Sequence, residues 1–406
     1  MLNFEAHPVL GQVALGYAPI VDAQRNIVAT RLTIALDRPD ADIDASALLA
    51  ALHTVWPPAT PTRRGAAVAT GAVVLNAVGE PLWRALLQAP PAAPFALEVP
   101  SFMLADRNTL AQLVALQRDG GELWLKGSVP ATMPAPLWAL FRHVLVEVPE
   151  PAPAHRGNCS AVAAGLASLA DLDAAVKRGC VGGAGWPFAP EPASGAAASG
   201  KAKAAPELQM VMDLMARVDR EEPIDKLEAA LKGDPTLAFR LLRYLNSAAF
   251  GMTVEISSLR HALMLLGYAK LKRWLALLLA SASKDPNLRP VMHAAVRRGM
   301  VMEELARSLD DAEMRGEIFI CGVFSLLDRM LGQPFEALFA NVLVPERVRQ
   351  ALVEQSGPFM PYLALVQAIE AASPYDLREA ADTLMLGSFD LNVALLRALA
   401  GARTLD

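Results

Sequence analysis

Cysteine is scarce in this 406-residue chain. Its three cysteines, Cys159, Cys180 and Cys321, are far apart and odd in number. That excludes a disulfide framework and fits no zinc-binding spacing, so each reads as a small buried apolar residue. Long apolar runs are also missing. The most apolar helical stretch, LALLLASAS at 275–283, is half of the roughly 18 residues that cross a bilayer. The opening MLNFEAHPVL lacks the basic start and apolar core of a secretory signal, so a cytoplasmic protein without membrane insertion is expected. Positive charge is not in excess. There are 37 Lys and Arg against 42 Asp and Glu, for a net charge of −5, which argues against a nucleic-acid partner. Neither a phosphate-binding Gly-x-x-x-x-Gly-Lys-Ser/Thr loop nor a Gly-x-Ser-x-Gly elbow occurs.

What is present falls into two halves. Residues 189–206, APEPASGAAASGKAKAAP, are almost entirely Ala, Gly, Ser, Pro and Lys. Such a segment buries too little apolar surface to offset its ordering entropy and reads as a linker. Before it, strand candidates (VALGYAPIV, NIVATRLTIAL, AAVATGAVVLN, FALEV, GELWLKG, HVLVEV, CSAVAAG, CVGGAGW) alternate with helix candidates (SALLAALHTVW, PLWRALLQA, NTLAQLVALQRDG, PAPLWALFRH, LADLDAAVKRG). This alternation implies parallel strands covered by helices, and about eight strand units suit a closed barrel, with an open doubly wound sheet as the alternative. After the linker the pattern is helical throughout. Leu237, Leu241, Leu242 and Leu245 give one buried stripe, and Leu259, Leu263 and Leu266 another that Gly267 stops. Further helices are expected near 269–282, 288–309, 313–331, 345–355, 361–372 and 376–402. The expected division is 1–188 for the α/β part, 189–206 for the linker and 207–406 for an all-α bundle.

The stretch 234–267, DPTLAFRLLRYLNSAAFGMTVEISSLRHALMLLG, closely resembles the signature of the HDOD domain. The matching positions are Asp234 and Pro235, the leucine-rich helix, Asn246 and Ser247, Phe250 and Gly251, and the Leu-Gly ending at Gly267. FICGVFSLLDRMLGQPF, VRQALVEQSGPF and AIEAA add to the resemblance, which spans roughly 207–400. HDOD domains look like HD-type metal phosphohydrolases that have lost their metal ligands. Here none of the six histidines (His7, His53, His143, His155, His261, His293) is followed by Asp. Two isolated histidines, His261 and His293, lie in the helical half. Asn246 and Ser247 have two readings: hydrogen-bonding the helix end and turn, or contacting a docked partner.

Residues 161–192, AVAAGLASLADLDAAVKRGCVGGAGWPFAPEP, resemble the last strand–helix unit of EAL domains, the cyclic di-GMP phosphodiesterase barrels. LGYAPIVDAQRNIVATRLTIALDR resembles their opening pair of strands. That resemblance implies acidic residues around two metal ions that clamp the phosphodiester and generate hydroxide. At the matching positions stand Arg31, Lys126, Gly127, Ala164, Ala167 and Ala184, and VLVEVP offers no Lys-x-Asp. Only Asn76 and Glu98 persist. A truncated, degenerate EAL-like barrel followed by an HDOD bundle is therefore expected, without catalytic residues, metal or cofactor. On this reading the chain is not an enzyme and acts in signal transduction through protein partners. One alternative is a sensor without hydrolysis, in which Arg31, Asn76, Glu98 and Lys126 form a remnant pocket where the cations meet the phosphates of cyclic di-GMP, as opposed to being structural cations; the other, ranked last, is a cyclic di-GMP phosphodiesterase.

Overall fold

The computed structural model describes residues 3–58, 71–129, 133–153, 157–187, 206–232, 237, 241, 259–281, 285–339 and 344–403. The amino-terminal part is a closed eight-stranded barrel followed by a helical region. Its strands are β1 (Val13–Asp22), β2 (Ile27–Leu36), β3 (Ala72–Val78), β4 (Phe95–Pro100), β5 (Glu122–Lys126), β6 (His143–Glu147), β7 (Ser160–Leu166) and β8 (Cys180–Gly185). They are hydrogen-bonded in that order, and β8 returns to β1. All eight strand candidates are realised.

β1 runs antiparallel to both β2 and β8, whereas every other neighbouring pair is parallel. The cause is local. The Asp22 carboxylate accepts from the amides of Gln24 and Asn26, and Arg25 takes a left-handed φ of 63°. This tight Asx-type turn reverses the chain where a parallel crossover would need a dozen or more residues. The helices α1 (Ala45–His53), α2 (Glu80–Gln88), α3 (Arg107–Arg118), α4 (Ala135–Trp138) and α5 (Leu169–Lys177) connect later strands. The starts of α1, α3 and α5 are fixed by side chains that satisfy otherwise unpaired amides. Asp44 accepts from Ala47, Asp106 accepts from Asn108 and Thr109, and Ser168 with Asp171 forms a reciprocal capping box.

Strand alternation sorts side chains into barrel layers. Ala29, Val74, Ala96, Trp124, Leu145 and Val162 belong to one buried apolar cluster inside the barrel. Two residues further along their strands, on the same face, come Arg31, Asn76, Glu98, Lys126, Glu147 and Ala164.

The chain divides into two compact units. One comprises 1–198, 289–291 and 364–400. The other comprises 199–288, 292–363 and 401–406. In the first, residues 364–400 pack on β1, the strand whose hairpin connection to β2 carries no covering helix. Gly16 makes this possible: a Cβ there would lie 2.8 Å from the Ala372 Cβ and 2.9 Å from the Ile369 carbonyl oxygen. Asn392, 0% exposed, accepts from the Leu15 amide and donates to the carbonyls of Leu10 and Val13 at 2.7 Å each. The Trp186 indole donates to the carbonyls of Tyr17 and Glu370, and Arg378 donates to the Asp37 carbonyl.

In the second unit, helix Pro206–Asp219 packs against Leu259–Ser281, which in turn packs against Ala312–Phe324. Gly267 interrupts Leu259–Ser281 with φ 65° and ψ 172°, a kink at the position where the sequence stops its leucine stripe. The span expected at 313–331 is two helices, Ala312–Phe324 and Leu327–Leu331, and the span at 376–402 is also two, Pro374–Thr383 and Ser388–Ala402. Met385, at a left-handed φ of 54°, marks the second break. Cys159, Cys180 and Cys321 are all buried, and burial pushes the Cys321 thiol up to about 12. Among the described residues no single helix is long and apolar enough to cross a membrane. The expected linker at 189–206 lies outside the described residues apart from Pro206.

Candidate site at the barrel mouth

The inward-facing layer at the carboxyl ends of the strands brings Arg31, Asn76, Glu98 and Lys126 together. Glu98 on β4 is 0% exposed and held on both sides. The Arg31 guanidinium donates from Nε to Oε1 at 2.6 Å and from Nη2 to Oε2 at 2.8 Å, a two-bonded fork. The Lys126 ammonium lies 3.7 Å from Oε2 and donates to the Asn76 side-chain oxygen. Asn76 Nδ2 donates to Thr33 Oγ1 at 3.2 Å, and the indole of Trp83 on α2 donates to the Glu98 carbonyl at 2.8 Å. Strands β2, β3, β4 and β5 each contribute to one polar network.

Burial and charge act on the two cations differently. Burial works to lower the Arg31 pKa, but its bonds to Glu98 and the charges of Glu98 and Glu147 outweigh that and hold it above its ordinary value. For Lys126 burial dominates, aided by the Arg31 charge, and the ammonium sits below its ordinary value despite Glu98. Glu147 escaped the sequence reading, which sought a Lys-x-Asp pattern in VLVEVP. The signal was available in the alternation of His143, Leu145 and Glu147 along β6.

The EAL resemblance implies a divalent metal pair here, and the residues present do not fit one. Glu98 and Glu147 are the layer's carboxylates, and both Glu98 oxygens face cations. Among the described residues no group of three or more His, Cys, Asp and Glu side chains could hold a metal ion. In the helical region His261 is exposed. His293 Nδ1 lies 2.8 Å from Arg297 Nη1, and burial with the Arg297 charge keeps its pKa well below the ordinary value. Of the HDOD signature stretch, residues 237, 241 and 259–267 are described, Gly267 among them. Asp234, Pro235, Asn246, Ser247, Phe250 and Gly251 lie outside the described residues.

Residues 206–349 match the family model of the HDOD domain. The chain carries an HDOD domain. Cyclic di-GMP phosphodiesterase CdgJ of Vibrio cholerae is 30% identical over 169 residues, 41% of this chain and 39% of that protein. Protein YuxH of Bacillus subtilis is 27% identical over 163 residues, 39% of this chain and 40% of that one. The chain thus spans about two fifths of the length of these curated relatives. A solved structure, the PaMucR phosphodiesterase in a c-di-GMP complex, aligns with 45% of this chain and 98% of its own at 16% identity, with a TM-score of 0.31.

The similarity to CdgJ corrects the expectation that this chain, with its HDOD domain, is not an enzyme. That expectation rested on carboxylates missing from the barrel mouth. Their loss bears on one metal-assisted route at one place and does not exclude catalysis by the chain.

Proposed function

We propose that this chain works in cyclic di-GMP signalling, with an EAL-like barrel whose mouth receives the dinucleotide and an HDOD domain that engages a protein partner. The observation that carries the reading is the 30% identity with a cyclic di-GMP phosphodiesterase. The mouth supports it. A cyclic dinucleotide presents two phosphodiester anions, and Arg31 and Lys126 are 22% and 23% exposed there. The Arg31 bonds to Glu98 use Nε and Nη2, so the Nη1 protons take no part in that pair. The apolar layer beneath gives the mouth a dry floor.

The activity named for CdgJ favours a second reading, turnover of the dinucleotide by this chain. One incubation separates the two. The full chain is mixed with cyclic di-GMP and divalent metal, and both retained ligand and linear product are measured. Retention with no product assigns the mouth a binding role. Product formation at a rate proportional to protein establishes turnover. Absence of both retention and product removes the barrel from the reading.

A further inference from the structure

A carboxylate fully removed from water is costly unless opposite charge and hydrogen bonds accompany it. Glu98 meets that requirement from within the chain. Arg31 binds both oxygens, and Lys126 lies 3.7 Å from one of them. Neither cation is a surface side chain folded over by chance. Both project from inward-facing strand positions, two residues beyond Ala29 and Trp124 of the apolar floor. Their attachments are also fixed: Thr33 holds Asn76, Asn76 holds Lys126, and Trp83 holds the Glu98 backbone. A divalent ion approaching Glu98 would have to displace a two-bonded guanidinium that is already in place.

We infer that Arg31 and Lys126 are the resident counter-ions of Glu98, filling the charge role that a divalent ion takes in a carboxylate-lined mouth, so that the charge balance of this site and its hold on an anion do not depend on metal. The part concerning an anion rests on the dinucleotide reading above; the counter-ion assignment does not.

The test uses the full chain. Melting temperature and retention of cyclic di-GMP are each measured in EDTA and in manganese, and both are expected to be the same in the two conditions. A melting temperature that manganese raises and EDTA reverses, or retention that EDTA abolishes, overturns the inference. Absence of retention in both conditions would sink the dinucleotide reading, and the counter-ions are then judged by variants. Arg31→Ala is expected to melt about 5–10 °C lower, because it strands a buried charge. Arg31→Ala/Glu98→Gln should recover most of that loss, since the fully buried carboxylate is gone and the remaining cation, Lys126, is 23% exposed to water. A single variant that melts like the wild type, or a double variant as low as the single, refutes the assignment. If the single variant does not fold, a folded double variant sustains the inference, and failure of both defeats it.

Discussion

Glu98 and His143 occupy opposite ends of the same barrel interior, and both are 0% exposed. At the carboxyl end Glu98 is gripped by one cation and flanked by a second. At the amino end the His143 ring packs against Trp124, tilted by 45° with centroids 4.2 Å apart, and among the described residues neither ring nitrogen has a hydrogen-bond partner. Burial, with a smaller contribution from the Arg142 charge, lowers the His143 pKa to about 3. Equal burial therefore coexists with very different surroundings. Strand ends supply cations to the one, whereas burial against an aromatic ring, with a like charge nearby, disfavours the charged form of the other. Asn392 adds a third solution, a neutral buried group with its polar atoms satisfied by backbone.

The contrast breaks most visibly in acid. The folded-state pKa of His143 lies below its unfolded value, so between pH 6.5 and about 3 the unfolded chain binds more protons. Stability contributed by the neutral ring is intact above pH 6.5 and falls as pH drops toward 3, by about 4–5 kcal/mol in total. Denaturant melts across that window should show the decline, and His143→Phe, which keeps a ring against Trp124, should flatten it. An unchanged acid limb in the variant would sink this assignment. Asn392→Ala strands two carbonyls and an amide against β1 and should cost about 2–4 kcal/mol by urea denaturation; a loss below 1 kcal/mol would mean the segment is held by its apolar contacts instead. Lys126→Met removes the second cation but leaves the Arg31 fork intact. About 1 kcal/mol is expected for this partly exposed group, clearly less than for Arg31→Ala in the same melts. Of similar size, Ser168→Ala removes half of the α5 capping box and should lower stability by about 1 kcal/mol.

The eight strands were legible because each is a short apolar run bounded by turn residues, and the helices between them carry polar starts such as Ser168. Convergence of Arg31, Asn76, Glu98 and Lys126 was readable only through the family resemblance, since nothing local connects residues on four strands. The two-bonded grip on Glu98 was not readable, because an Arg and a Glu 67 positions apart in sequence declare no geometry. The packing of 364–400 on β1 left still less trace. Asn392 is bonded to backbone atoms, which carry no residue type, and Gly16 signals its neighbour only by lacking a side chain. The single helix expected at 376–402 failed for a related reason: its apolar period continues through a break set by the left-handed backbone at Met385.

Asn392 also fixes an order of events during synthesis. The ribosome completes β1 at Asp22, yet the side chain that ties off its amide and carbonyls emerges 377 residues after Leu15. The whole HDOD domain is translated in that interval. Nascent barrels therefore keep their first strand incompletely dressed until Asn392 has been made.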